Sequence, residues 1–229
     1  MSKSALRLAA GLMGLAPALF AFSAYCASPL QTSWEVSTEF NDANSNGPVW
    51  VYCSKTAYLA LPCTPLGAAS TPSSPTMAGF QFSSSQTLPL VSHNVSMTPQ
   101  SISAPPDIVS ARALAMHPGT SGEFAVVRFT APYSAKFKVS GQFYGIDGNG
   151  TATHTKVYLV VNTGAGTSTA VFTGTINVVP GSPPGSSAAS FTSTVVALRT
   201  GETLDFEVGA GPNNNFNYGT TGLNAVIER

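Results

Sequence analysis

The strongest constraint on the fold is a two-residue alternation of apolar and polar side chains, in a chain without a long segment of helical periodicity. Residues 135–143 and 155–161 each place apolar side chains on one face of an extended strand. In residues 203–208 the apolar positions alternate with Thr203, Asp205 and Glu207. Antiparallel sheets with one buried and one solvated face give this pattern, so these acids are expected on a wet face.

Further strand candidates and the turn signals between them predict about ten short strands. Turn signals include Pro118-Gly119, residues 147–150 and Thr200-Gly201. This spacing predicts an all-β fold, a single antiparallel β-sandwich of the jelly-roll type. The less regular strand candidates are residues 34–40, 49–53, 77–82, 108–116, 124–129, 170–178, 191–198 and 223–228.

The first residues have the order of a secretory signal peptide. Lys3 and Arg7 precede an apolar run over residues 8–22, and small residues follow. The run is shorter than the roughly 20 residues of a membrane-spanning helix. We therefore predict a cleaved signal peptide over residues 1–27, no transmembrane segment in the mature chain, and a secreted location, periplasmic or extracellular. Cys26 leaves lipidation open, although Tyr25 directly before it fits a lipid-attachment motif poorly.

The mature chain reads as one domain in two parts. Residues 28–107 hold N-terminal strands and long Pro/Ser-rich loops, and residues 108–229 hold the regular sandwich core. Only 9% of the chain is charged and its formal net charge is zero, against about 25% charged residues in average soluble proteins. The absence of a basic block argues against nucleic acid as a partner.

Two cysteines remain after the leader is removed. In an oxidising compartment Cys53 and Cys63 are expected to form a disulfide, closing a short loop worth roughly 2–3 kcal/mol. A metal or redox pair is the alternative, but it lacks CxxC spacing and a nearby histidine.

Several spaced motifs resemble a group of exported bacterial proteins, many of which carry a PEP-CTERM sorting tail. The matching stretches are FNDANSNGPVWVY, MHPGTSGEFAVVRFTAP, FKVSGQFYGIDGNG, LRTGETLDFEVGAGPNNN and TGLNAVIE. The resemblance covers most of residues 34–228 and implies a jelly-roll-like sandwich without established catalytic residues. The chain departs from it in ending at Arg229 without an apolar tail, so PEP-CTERM sorting is not expected. It departs again at Glu202, where an Asp is common.

His117 and Arg128 are interpreted first as structural residues. His117 precedes a Pro-Gly turn, and a hydrogen bond from its ring to the loop backbone would hold that turn. A catalytic base would need a nucleophile and an orienting carboxylate, and no GxSxG or HExxH motif supplies them. Arg128 interrupts an apolar strand, which predicts an ion pair with Glu123, Asp205 or Glu207. A ligand-facing arginine is the alternative.

Asp147 and Asn149 are a candidate calcium site. They cluster oxygen donors in one tight loop, but calcium needs 6–8 oxygens and the EF-hand spacing is lacking. A plain hairpin turn is favoured, and no cofactor is expected apart from a possible structural calcium.

Aromatic rings and side-chain amides are the candidate ligand contacts. Trp50 and Tyr52 offer flat rings that could stack on sugars, or they could fill the core. Asn213, Asn215 and Tyr218 lie in an Asn-rich segment whose amides could bind hydroxyl groups, although such segments are also ordinary loops.

These patterns favour an exported, non-catalytic binding module for polysaccharide or another cell-surface ligand. The alternative is a structural matrix or surface-layer subunit that associates with itself, because low charge permits close assembly. A glycan-active enzyme is a third possibility, with an acid–base pair drawn from Asp147, Asp205, Glu207 and His117.

Overall fold

The alternating segments form strands throughout the described chain. A computed structural model of the protein describes residues 30–40, 49–68, 76–81, 88–101, 108–147, 153–179, 183, 185–212 and 214–229. Those residues form sixteen strands: β1 (Ser33–Glu35), β2 (Trp50–Lys55), β3 (Thr64–Pro65), β4 (Gly67–Ala68), β5 (Met77–Gln81), β6 (Leu90–Asn94), β7 (Gln100–Ser101), β8 (Ile108–Val109), β9 (Leu114–His117), β10 (Phe124–Thr130), β11 (Ala135–Gly145), β12 (Thr153–Asn162), β13 (Ser168–Val178), β14 (Ala188–Leu198), β15 (Thr203–Gly209) and β16 (Thr221–Glu228).

Two antiparallel sheets form the sandwich. The eight-stranded sheet has the order β14-β11-β16-β9-β6-β5-β4, and β1 also pairs with β16. The six-stranded sheet has the order β13-β12-β15-β10-β2-β3. Strands β7 and β8 form a separate two-stranded ribbon. Residues Gln31–Arg229 form one compact unit.

The last eight strands follow a jelly-roll path. Strands β9, β16, β11 and β14 are neighbours in one sheet, while β10, β15, β12 and β13 are neighbours in the other. From β9 to β16 the chain therefore crosses between the sheets at every step except from β12 to β13, in the nested order of a double Greek key. This topology confirms the predicted antiparallel jelly-roll sandwich.

The earlier strands extend both sheets. Strand β2 pairs with β10, and β6 pairs with β9. Strand β1 pairs with β16, so the beginning of the compact unit is joined to the end of the chain. The bounds correct two expectations. Residues 108–116 form two strands, β8 and β9, rather than one, and the strand expected over residues 34–40 ends at Glu35, where a turn follows. Strand β6 had no clear alternation in the sequence and was not predicted.

The core lies between the sheets and is rich in aromatic rings. The ring of Trp34 in β1 packs edge-on against Phe129 and Phe137, at centroid distances of 5.4 and 5.8 Å. Such edge-to-face pairs add to the stabilisation from buried area. A smaller buried cluster on the outer face of the eight-stranded sheet joins the early strands to the jelly roll: Met77, Val109, Ala113, Ala115, Tyr144 and Ile146. In the part of the chain that the structure describes, no helix has the length and apolar character needed to cross a membrane.

Candidate functional site

Trp50 and Tyr52 belong to the core. Their exposed fractions are 5% and 0%. The ring of Trp50 packs 5.4 Å from Phe129, and its Nε1 donates a 3.0 Å hydrogen bond to Glu39 Oε2. No flat face of either ring is open to a sugar, so the predicted ligand role of these two residues is corrected. Alternation along β2 directs both side chains into the core, which was the alternative interpretation.

The predicted contact residues also lie at two different ends of the sandwich. Trp50 pairs with Phe129 near the end of β10, whereas Val208, at the end of β15, pairs with Ala125 near its beginning. The loop with Asn215 and Tyr218 follows β15. Four residues of strand separate the two ends, roughly 13 Å, so the predicted residues do not converge on one ligand. Asn213 lies outside the described residues.

The Asn-rich loop packs against the turn that His117 introduces. The ring of Phe216 lies 6.5 Å from that of His117. Nδ1 of His117 is 2.8 Å from Pro118 O, the loop-holding role that the sequence predicts for it. Asn215 is half-buried and the side chain of Tyr218 is 40% exposed. The predicted amide and aromatic loop is therefore present at the surface, next to a fixed turn.

Asp147, the described member of the calcium candidate, lies just after β11. It is 4% exposed, and Asn149 lies outside the described residues. Ile146 N, next to it, donates to Thr220 O, which ties this loop to the start of β16. Among the described residues, no group of three His, Cys, Asp or Glu side chains is arranged to hold a metal. Calcium binding stays a prediction.

The predicted disulfide is confirmed. Cys53 and Cys63 are bonded, with their Cα atoms 5.5 Å apart. We call residues 56–62 the disulfide loop. It lies over the outer face of the six-stranded sheet, where the ring of Tyr58 packs 4.2 Å from that of Tyr158 in β12. Nη2 of Arg128 donates to Leu61 O at 3.4 Å. The loop therefore covers a face that the alternation alone would leave wet.

Four charged side chains, which we call the charge cluster, are gathered on this covered face. Nζ of Lys55 lies 2.6 Å from Asp205 Oδ2 and 2.6 Å from Glu207 Oε1, and the side chains of all three are fully buried. Arg128 completes the cluster with two hydrogen bonds to Asp205, from Nε at 2.7 Å and from Nη2 at 2.8 Å. This forked geometry makes a strong charge-assisted pair, and it confirms the predicted ion pair of Arg128.

The burial of Asp205 and Glu207 corrects the expectation of a wet face. Desolvation raises the pKa of Glu207 to about 7, although its contact with Lys55 lowers it. Oε2 of Glu207 is buried and makes no hydrogen bond with a described residue. Both carboxyl groups are fully buried and bonded to Lys55, so the cluster has the character of a structural ion network.

A cavity of about 430 Å³ lies at the end of the sandwich where β12 and β14 end. It is lined by Thr163, Ala165, Ala197, Leu198, Arg199 and Glu202. Oε1 of Glu202 accepts a bond from Gly164 N at 3.0 Å, and Oε2 accepts one from Arg199 N at 2.8 Å. These bonds lower the pKa of Glu202. The carboxylate of Glu202 thus joins the loop at Gly164 to the turn at Arg199.

A second hollow, of about 230 Å³, opens on the outer face of the eight-stranded sheet. We call it the amide hollow; it is lined by Ser110, Ala111, Ala113, Gln142, Tyr144, Gly185 and Asn224. Gln142 in β11 and Asn224 in β16 are directly opposed in register, so their side chains share this face. Neither side-chain amide bonds to another described residue. The hollow therefore presents unpaired donors and acceptors on two rigid strands.

Tyr144 forms a wall of the amide hollow. Burial raises the pKa of its hydroxyl, and this buried hydroxyl makes no hydrogen bond with a described residue. Gly222 lies opposite Tyr144 in register, and the absence of a side chain there leaves room for the ring. Sequence reasoning missed this site, although alternation along residues 135–143 did put Gln142 on the polar face. The register that places Asn224 beside it is not readable from either strand alone.

Comparisons with known proteins leave the family open. No protein-family model matches the sequence, and no curated protein shows significant similarity to it. Similar solved structures include the K3 cleaved adhesin domain of Lys-gingipain from Porphyromonas gingivalis W83, at 16% identity and a TM-score of 0.31, over 52% of this chain and 75% of that one. The Arthrobacter globiformis T6 isomalto-dextranase complexed with panose is 12% identical, with a TM-score of 0.30, over 72% of this chain and 24% of that one. The Podospora anserina GH26-CBM35 β-(1,4)-mannanase is 14% identical, with a TM-score of 0.26, over 78% of this chain and 27% of that one. TM-scores this low carry no inference about function.

Proposed function

We propose that the protein is an exported, non-catalytic binding module whose amide hollow contacts an uncharged polysaccharide. The observation that carries this proposal is the pair of unbonded side-chain amides, Gln142 and Asn224, held opposite each other on β11 and β16. Each amide can donate and accept at once, which suits the vicinal hydroxyl groups of a sugar. Strands fix the spacing of the two groups before a ligand arrives, and this reduces the entropy lost on binding.

The lining of the hollow favours a neutral ligand. Its described lining residues supply amide, hydroxyl and small apolar groups, and none of them is charged. A charged ligand would give up its hydration here without gaining an ion pair. The hollow's volume of about 230 Å³ suits a single ring or the end of a chain, below the 300–1,000 Å³ typical of deep small-molecule pockets.

Two further observations support export and a non-catalytic role. The Cys53–Cys63 disulfide is the kind of bond that persists in oxidising compartments, and the leader-like first residues agree with secretion into the periplasm or beyond. Lys55 holds the fully buried carboxyl groups of Asp205 and Glu207 beneath the disulfide loop, which keeps this acidic pair from contact with a substrate.

The test is binding of the folded protein to a panel of neutral and charged polysaccharides, followed by single substitutions. Gln142→Ala and Asn224→Ala should each weaken binding of a neutral polysaccharide by about 3- to 10-fold, the usual effect of one lost hydrogen bond. Tyr218→Ala is the matched comparison because it removes an exposed side chain from the Asn-rich loop, and it should bind as the parent does.

Each alternative has its own outcome. Loss of binding in Tyr218→Ala alone would move the contact to the Asn-rich loop. If a folded protein binds no polysaccharide of the panel, with or without calcium, the proposed function is wrong.

A further inference from the structure

The two edge strands of each sheet differ in how well they are protected from pairing with another chain. At one end the last described strands are β3 and β4, which are only two residues long, and β3 contains Pro65. At the other end the last strands are β13 and β14, each of eleven residues. Short strands and proline are common means of preventing an edge from pairing with another chain. The long edges lack both.

Neither long edge carries a charge. The sequences STAVFTGTINV and AASFTSTVVAL contain no Lys, Arg, Asp, Glu or Pro. Val171 and Val195 on these strands are 40% and 62% exposed. Strand β13 has a bulge at Val171, and strand β14 has one at Thr192–Ser193. A bulge limits pairing locally, and Asn177 N already donates to Ser187 Oγ at 2.8 Å. The regular segment from Phe172 to Ile176 has outer backbone groups that no described strand pairs.

The two edges lie one above the other on the same side of the sandwich. Phe172 of β13 and Phe191 of β14 are in ring contact, with centroids 5.5 Å apart. Gly174 approaches Ala189 closely. A partner that reaches one edge therefore also reaches the other.

We infer that this double edge is an interface between two copies of the chain. A two-fold axis perpendicular to the sheets would pair β13 with β13 and β14 with β14, both antiparallel, and would extend both sheets at once. A single extended peptide could satisfy only one of the two edges. Identical surfaces repel when they carry net charge, and these carry none. This interface goes beyond the proposed function, which a monomer could perform.

The experiment is sedimentation equilibrium of the mature protein over a wide concentration range. We expect a reversible dimer. Thr173→Lys/Val195→Lys places one lysine on each edge at an exposed position. The four lysines put like charges on both pairs of edges and should weaken dimerisation about tenfold or more, because lysine on an edge strand opposes pairing with another chain. Thr120→Lys/Thr200→Lys adds the same charge at exposed turn positions and should leave the dimer intact.

Hydrogen exchange provides the second measurement. In the dimer, amides of β13 that do not bond to β12 should exchange more slowly at high protein concentration than at low concentration. A parent that stays monomeric throughout, or a dimer that tolerates the edge lysines, would overturn the inference. Because sugar binding is measured separately on Gln142 and Asn224, failure here leaves the proposed function standing.

Discussion

At the scale of single residues, Glu207 makes the stability of the fold depend on pH. Burial raises its pKa from the ordinary value of 4.5 to about 7. Between pH 4.5 and pH 7 the folded chain therefore keeps a proton on Glu207, whereas the unfolded chain releases it. The resulting stabilisation is complete below pH 4.5 and is lost as pH rises through 7. Its full size is about 3 kcal/mol.

Urea unfolding of the parent and of Glu207→Gln at pH 5 and pH 8 measures this contribution. The parent should lose stability between these values, whereas the variant should lose much less, because its amide can still bond to Lys55 without titrating. Glu228→Gln is the matched control, since Glu228 is half exposed and lies 3.9 Å from Lys138; it should follow the parent. Equal pH slopes for the parent and Glu207→Gln would contradict the assignment.

At the scale of elements, the disulfide loop covers the charge cluster. Lys55 is adjacent to this loop in sequence, and its side chain is fully buried. Reduction of Cys53–Cys63 releases a cross-link worth roughly 2–3 kcal/mol, and hydration of the charges beneath favours an open loop. We expect trypsin to cleave after Lys55 in the reduced protein and to leave this bond intact in the oxidised protein.

The matched variant is Cys53→Ser/Cys63→Ser, which should be cleaved after Lys55 without a reductant. Far-UV circular dichroism before digestion establishes that the sheets remain formed in each sample. An uncut Lys55 in the reduced and the substituted protein would show that packing of Tyr58 on Tyr158 holds the loop closed without the disulfide.

At the scale of the whole molecule, alternation predicted the sandwich because period-two patterning reports which face of a strand is buried. Strand β11 was expected over residues 135–143 and is observed over Ala135–Gly145. Sites depend instead on contacts between distant segments. Asp205 is buried because a loop about 150 residues earlier in the chain covers it, and Gln142 meets Asn224 through strand register. Local patterns contain neither fact, which is why Asp205 and Glu207 were assigned to a wet face and the amide hollow was missed.

The shared sheets predict that the N-terminal strands and the jelly roll unfold together. Trp34 in β1 and Trp50 in β2 both contact Phe129 in β10, so each tryptophan reports on the joint between the two parts. Because the two parts share sheets and one core, we expect them to unfold in a single cooperative step. In Trp34→Phe and in Trp50→Phe, fluorescence of the remaining tryptophan should therefore change at the same urea concentration as the far-UV circular dichroism. A fluorescence transition that precedes the loss of strand signal would show that β1 and β2 detach from a jelly roll stable without them.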